Sequence, residues 1–157
     1  MNRRNFLGLG VMAVTALPAI LSAAGTIDFR ATKPDAWTAK KVDAAIKALY
    51  GDIKPEAKGV TIKVPKVASN GGSVPVTIKS DIDAKTVALF QDMNPESTIA
   101  VFHVPEGGIV DYFLKIKLKA TDENGGNGTI TAIVEAKDGK FYMGEKALQV
   151  AKGGCEG

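Results

Sequence analysis

Cysteine and histidine are nearly missing: among 157 residues there is one of each, Cys155 and His103. A single cysteine excludes an internal disulfide. A single histidine excludes a His-rich zinc site and a two-histidine, one-cysteine copper site built by this chain alone. Any nucleophile–imidazole arrangement would have to rest on His103. An excess of charge is missing too. The formal net charge is +3, and two of those positives, Arg3 and Arg4, stand at the start of the chain, so the remainder carries only +1. No lysine or arginine cluster interleaves with aromatics, which leaves no electrostatic footprint for nucleic acid. The acidic residues are scattered through turns and give no paired-carboxylate signature. What remains is an ordinary globular composition at a length that suits one domain.

The long uncharged run, Leu7 to Ala24, follows Met1-Asn2-Arg3-Arg4-Asn5-Phe6-Leu7. A charged head, an apolar middle and the small residues Ser22-Ala23-Ala24 have the layout of a secretory signal, with the cut expected near Gly25. Arg3 and Arg4 followed by Phe6-Leu7 resemble a twin-arginine export signal. Gly8, Gly10 and Pro18 weaken the competing reading as a membrane anchor, and no cysteine lies near the cut to carry a lipid. The expectation is a periplasmic protein exported by the twin-arginine route, with residues 1–24 removed and no membrane attachment afterwards.

Residues 25–36 read as a loose lead-in. Val42, Ala45, Ile46 and Leu49 then recur at helical spacing, and Gly51 is placed to stop the helix, which predicts one amphipathic helix from about Asp35 to Tyr50. Beyond Gly59 the period changes to that of strands, over residues 60–64, 73–79, 86–92, 98–104, 111–120, 128–136 and 140–150. Pro75 marks a sheet edge or bulge, Asp138-Gly139 a hairpin, and Gly125-Gly126-Asn127-Gly128 a loop. The lysines alternating along 111–120 mark a wet face. Together these predict a mainly β fold: an immunoglobulin-like antiparallel β-sandwich over 25–150, with one N-terminal amphipathic helix and a flexible C-terminal arm, 151–157.

That arm holds the single thiol. Gly153, Gly154 and Gly157 flank Cys155, and glycine keeps a segment slim and loosely ordered. Seven residues reach roughly 20–25 Å when extended. An exposed thiol has a pKa of about 8.5; Lys152 favours the thiolate slightly, while Glu156 opposes it. Cys155 therefore reads as a handle loaded by other proteins and not as a self-activated nucleophile.

The ending Gly153-Gly154-Cys155-x-Gly157 resembles the SoxY family of the Sox thiosulfate-oxidation system. The stretch Thr61 to Gly71, containing Ala68-Ser69-Asn70-Gly71, agrees with that family, as do Val74-Pro75-Val76, Asn94-Pro95, Lys115-Ile116-Lys117 and Asp138-Gly139-Lys140. The resemblance implies a periplasmic sulfur carrier that is not itself an enzyme, with no cofactor beyond the sulfur species held covalently on Cys155. It implies a heterodimer with SoxZ, a smaller sandwich subunit. A c-type haem enzyme joins thiosulfate to the cysteine, a manganese hydrolase releases sulfate, and further enzymes, molybdenum enzymes among them, oxidise the remaining sulfur. Two positions depart from the pattern. Glu156 stands where the family has glycine, and lysines at 115 and 117 stand where it often has arginine, which makes bidentate contacts that lysine cannot.

Two other readings compete with the carrier. In one, the domain is a structural or assembly module whose Cys155 forms a fixed intermolecular disulfide. In the other, it is a thiol enzyme acting alone, which lacks a histidine near the cysteine in sequence. His103, beside Phe102 in an alternating strand, reads as an ordinary strand residue.

Overall fold

The structure is a computed structural model that describes residues 27–120 and 125–151. Three short helices precede the sandwich: α1 (Phe29–Thr32), α2 (Pro34–Thr38) and α3 (Val42–Tyr50). The single helix expected from Asp35 to Tyr50 is thus broken, and the lead-in before it is partly helical. Local chemistry explains both. Asp28 caps α1, its carboxylate accepting from the Arg30 and Ala31 amides, and Pro34 opens α2 at a first-turn position. The break at 39–41 comes from tertiary structure. The Ala39 carbonyl accepts from the Ser97 amide at 2.9 Å, and the Ala36 carbonyl from the Thr98 hydroxyl. Carbonyls that would have continued the helix instead fasten it to the sheet.

Eight strands follow: β1 (Thr61–Lys63), β2 (Val67–Ala68), β3 (Val74–Ser80), β4 (Ala84–Gln91), β5 (Thr98–His103), β6 (Val110–Ile116), β7 (Gly125–Ala136) and β8 (Phe141–Ala151). They form a three-stranded sheet, β1-β3-β6, and a five-stranded sheet, β2-β8-β7-β4-β5. Every pairing is antiparallel except β2 with β8, which is parallel. The chain is an immunoglobulin-like sandwich with helices laid on the larger sheet.

The two faces of β4 show how the layers stack. Val87 and Leu89 point between the sheets, against Val74, Val76 and Ile78 of β3 and Ile130 and Val134 of β7. Ala88 and Phe90 point the other way, onto Ala45 and Leu49 of α3. A strand covered on both sides must be apolar on both, which is why Val87-Ala88-Leu89-Phe90 does not alternate. The helical stripe Val42, Ala45, Ile46, Leu49 packs on this sheet as part of the same cluster. Tyr50, at the end of α3, forms a hydroxyl contact with Thr86 at 2.9 Å, and Thr86 donates to Glu135 at 2.8 Å.

Pro75 falls where the sequence requires. β1 pairs with β3 only at 77–79, so Pro75 lies in the part of β3 that has β6 as its sole neighbour. The Asp138-Gly139 hairpin is present, with Gly139 at φ +84° and Asp138 accepting from the Lys140 amide. Two further expectations are corrected. Residues 125–128, read as a loop, are the first residues of β7, paired with Ala151 to Leu148. Glycine there serves packing: a Cβ on Gly128 would come within 2.2 Å of the Met93 side chain. And β6 stops at Ile116, because beyond it Asn94 takes over the backbone, donating to the Lys117 carbonyl and accepting from the Lys119 amide.

Candidate functional site

Arg3 and Arg4 of the expected export signal lie outside the described residues, as do Gly153, Gly154, Cys155, Glu156 and Gly157 of the expected arm. What the structure describes is the end of β8, the strand that leads to residue 152. β8 carries the chain to Ala151 and holds it on both flanks. On one side Gln149 and Val150 run beside Val67 and Ala68 of β2, and the Gln149 amide donates to the Lys66 carbonyl at 2.9 Å. On the other side Val150 and Ala151 pair with Gly126 and Gly125. Val150 is buried between the sheets.

The turn after β2 completes this anchor. Asn70 accepts from the Gly72 amide at 2.8 Å through its side chain, and the Gly71 carbonyl accepts from the Leu118 amide at 2.8 Å. Residue 71 approaches so closely that a Cβ there would lie 2.4 Å from the Leu118 carbonyl oxygen and 2.9 Å from Val150. Ala68-Ser69-Asn70-Gly71 is therefore part of the mooring of the end of β8, a role that neither its composition nor its spacing reveals. Asn94 does similar work for Lys117 to Lys119, and buried Gln91 shapes its turn by accepting from the Met93 and Asn94 amides. Beside the mooring, Lys66, Asp92, Asn127 and Thr129 line an open cleft of about 390 Å³. Its charges are mixed, and the Asp92 carboxylate is already engaged by the Thr129 amide at 2.7 Å.

Distance decides whether Cys155 can work with His103. His103 ends β5, the far edge of the larger sheet, opposite Thr86, which pairs in turn with Glu135. Ala151 pairs with Gly125 at the other end of β7. The length of β7 from Gly125 to Glu135 is roughly 33 Å at about 3.3 Å per residue. Cys155 lies four residues beyond Ala151, a maximum reach of about 14 Å. A thiol tethered at Ala151 cannot meet the imidazole of its own chain. The His103 Nδ1 is buried with no hydrogen-bond partner among the described residues.

Among the described residues two phenols, Tyr112 and Tyr50, hold their protons above the usual range, Tyr50 further than Tyr112. Burial pushes the Tyr50 phenol up; its bond to Thr86 opposes this, and the Glu135 carboxylate adds to it. This group fastens α3 to the sheet, remote from Ala151. Among the described residues no three His, Cys, Asp or Glu side chains gather in a metal-holding group, and no helix is long and apolar enough to cross a membrane.

A helix-covered immunoglobulin-like sandwich, with its last strand clamped between β2 and β7 just before a glycine-flanked cysteine, defines the class. The chain belongs to the family described as sulfur oxidation protein SoxY, whose profile matches residues 46–155. Among solved structures, the sulfur carrier protein SoxY from Chlorobium limicola f thiosulfatophilum is similar at 29% identity and a TM-score of 0.55, over 71% of this chain and 96% of that one. A Thermotoga maritima protein assigned as a superoxide reductase shares only the fold, at 13% identity and a TM-score of 0.50, over 64% of this chain and 95% of its own. No curated protein matches.

Proposed function

We propose that this protein is a periplasmic sulfur carrier, not itself an enzyme, whose Cys155 thiol holds thiosulfate-derived intermediates and presents them to separate enzymes. The observation that carries this reading is that the family match runs to residue 155, through the glycine-flanked cysteine. The similarity to a sulfur carrier from Chlorobium supports it. So does the mooring: a carrier needs a firm anchor close to a thiol that reaches outward, and the tether length keeps that thiol from this chain's own imidazole.

In the first step, a bond forms between the Cys155 sulfur and the outer sulfur of thiosulfate. The thiol loses its proton, and two electrons pass to an oxidant, a c-type haem partner. In the second, water attacks the terminal sulfonate sulfur and the sulfur–sulfur bond to it breaks. Sulfate leaves, a persulfide stays on Cys155, and no electrons are exchanged. A manganese hydrolase fits this second step, and further enzymes, including molybdenum enzymes, fit oxidation of the persulfide. A SoxZ-like sandwich subunit is the proposed constant partner, and the twin-arginine signal at Arg3 and Arg4 the proposed export route.

The test is mass spectrometry of the C-terminal peptide from cells oxidising thiosulfate. An adduct on Cys155, removable by reductant and missing in a Cys155→Ser strain that no longer oxidises thiosulfate, is the expected result. Unmodified peptide during active oxidation, or normal oxidation in the Cys155→Ser strain, refutes it.

A further inference from the structure

The two outer faces of the sandwich differ. Helices cover the larger sheet. The outside of the smaller sheet is bare: Lys63 of β1, Lys79 of β3, and Phe113 and Lys115 of β6 are all exposed. In register, Lys63 stands beside Thr77 and Thr77 beside Phe113, and the Phe113 ring is 64% exposed. Beyond β6 the chain continues through Lys117 and Lys119, both exposed. This face and its extension hold five lysines against one carboxylate, Asp111, which is bound to Lys79 at 2.7 Å. The other four lysines make no ion pair among the described residues. Beyond Arg3 and Arg4 the chain carries only +1 in all, so positive charge is gathered here and offset elsewhere. Segregated charge steers a partner of opposite sign onto one face, and an exposed aromatic is the residue type that anchors such a contact. The place of the face matters as well. The Leu118 amide, between Lys117 and Lys119, donates to the Gly71 carbonyl at 2.8 Å, and residue 71 lies against Val150. The lysine ridge therefore runs to the end of β8.

We propose that this face is the docking surface for the enzyme that loads Cys155, and that the enzyme presents to it an acidic rim around an apolar recess for Phe113. The proposal rests on the carrier reading above. Cys155 lies four residues beyond Ala151, a reach of about 14 Å, so a protein seated on the ridge has the thiol within its grasp. Recognition is thereby separated from chemistry. Lysines on the sandwich hold the partner by charge, Phe113 fixes its register, and the glycine-flanked cysteine is left to enter the active site. An acidic rim also suits the ridge at Lys115 and Lys117, where separate ammonium groups can each meet a carboxylate without the paired geometry that a guanidinium demands.

The experiment is the second-order rate of Cys155 loading with thiosulfate by the proposed haem partner, at low and high salt. Lys63→Glu, Lys115→Glu and Lys117→Glu combined should slow loading about tenfold or more at low ionic strength, the gap closing as salt is added. Phe113→Ala should slow it about three- to tenfold with the salt dependence unchanged. The same charge change at Lys33, Lys40 and Lys41, exposed on the helical layer, should stay within about twofold of the parent. Two reagents serve as controls. Iodoacetamide is neutral and should alkylate Cys155 equally fast in every variant. Tetrathionate loads the thiol without an enzyme: the thiolate bonds to an inner sulfur and thiosulfate leaves. Its rate should also hold within about twofold. An unchanged enzymatic rate in the triple variant overturns the proposal, as does equal slowing in the helical set, which would mean net charge alone. Equal slowing with tetrathionate assigns the lysines to a small anion and overturns it too. So does loss of the SoxZ-like subunit from the triple variant, which would give the face to that subunit. A parent chain that is not loaded at all refutes the carrier reading itself, and this proposal with it.

Discussion

Gly71 lies against Val150, leaving no room for a side chain at residue 71: a Cβ there would sit 2.9 Å from the Val150 methyl and 2.4 Å from the Leu118 carbonyl. This contact joins the turn after β2 to the last buried residue before the arm. Gly71→Ala must push either the Leu118 segment or the end of β8 outward. Neither is the loose end of a flexible side chain, so the change is expected to cost about 2 kcal/mol, the range for overpacking. Thermal unfolding should then fall by about 8 °C. Hydrogen exchange gives the sharper readout, because the Gln149 and Leu118 amides should lose protection before those of β4. A melting point within about 1 °C of the parent would show that the turn yields freely.

The second prediction concerns alkaline pH. Burial raises the Tyr50 phenol in the folded chain above its unfolded value of about 10. The folded state therefore keeps a proton that the unfolded state gives up. The stability this represents is fully present below pH 10 and is lost as pH climbs beyond it. Denaturant unfolding should show stability declining above about pH 10, and Tyr50→Phe should flatten that decline. Exposed lysines contribute a shallower loss in the same direction, since ion pairing raises Lys47, Lys58, Lys137 and Lys140. They remain in the Tyr50→Phe variant as an internal control. At neutral pH, Thr86→Val should cost about 1–3 kcal/mol, because it leaves a buried hydroxyl and the Glu135 carboxylate without their shared partner. An alkaline limb identical in Tyr50→Phe and parent would refute the assignment.

What could be read from the sequence, and what could not, follows from which forces are local. The stripe Val42, Ala45, Ile46, Leu49 and the hairpin at Asp138-Gly139 are written in neighbouring residues, and both are found where expected. The helix break at 39–41 is not, because its cause is the pair of carbonyl bonds to Ser97 and Thr98, some 60 positions along the chain. Gly125 to Gly128 carry a loop's composition, yet pair as strand with Ala151 to Leu148 of β8, and at Gly128 the nearby Met93 side chain leaves little room for a Cβ. β2 is too short for any periodicity, and its pairing with Gln149 and Val150 depends on a parallel neighbour remote in sequence. The glycine-flanked cysteine is a motif of the sequence, and its residues lie outside the described ones. The mooring of the end of β8 was not legible, since Asn70, Gly71 and Asn94 act through contacts with the backbone that leave no pattern.

The last prediction turns on Glu156, adjacent to the cysteine in sequence. Thiosulfate and its adduct are anions, and a carboxylate next to the thiol adds a like charge at the reacting sulfur. In water, two unit charges about 4 Å apart interact by about 1 kcal/mol, a factor of roughly 5 in rate if fully expressed. Salt with a screening length of about 8–10 Å reduces this. Glu156→Gln should therefore speed oxidative loading of thiosulfate onto Cys155 by about two- to fivefold at low ionic strength, with the advantage shrinking as salt is added. Glu156→Gly should do the same and also thin the arm. A Glu156→Asp control keeps the charge and should stay near the parent rate. The measurement is the initial rate of adduct formation by mass spectrometry at fixed concentrations of the proposed haem partner. Equal rates for Glu156→Gln and parent at low salt would mean that the partner neutralises this carboxylate during docking, and the electrostatic account of Glu156 would fail.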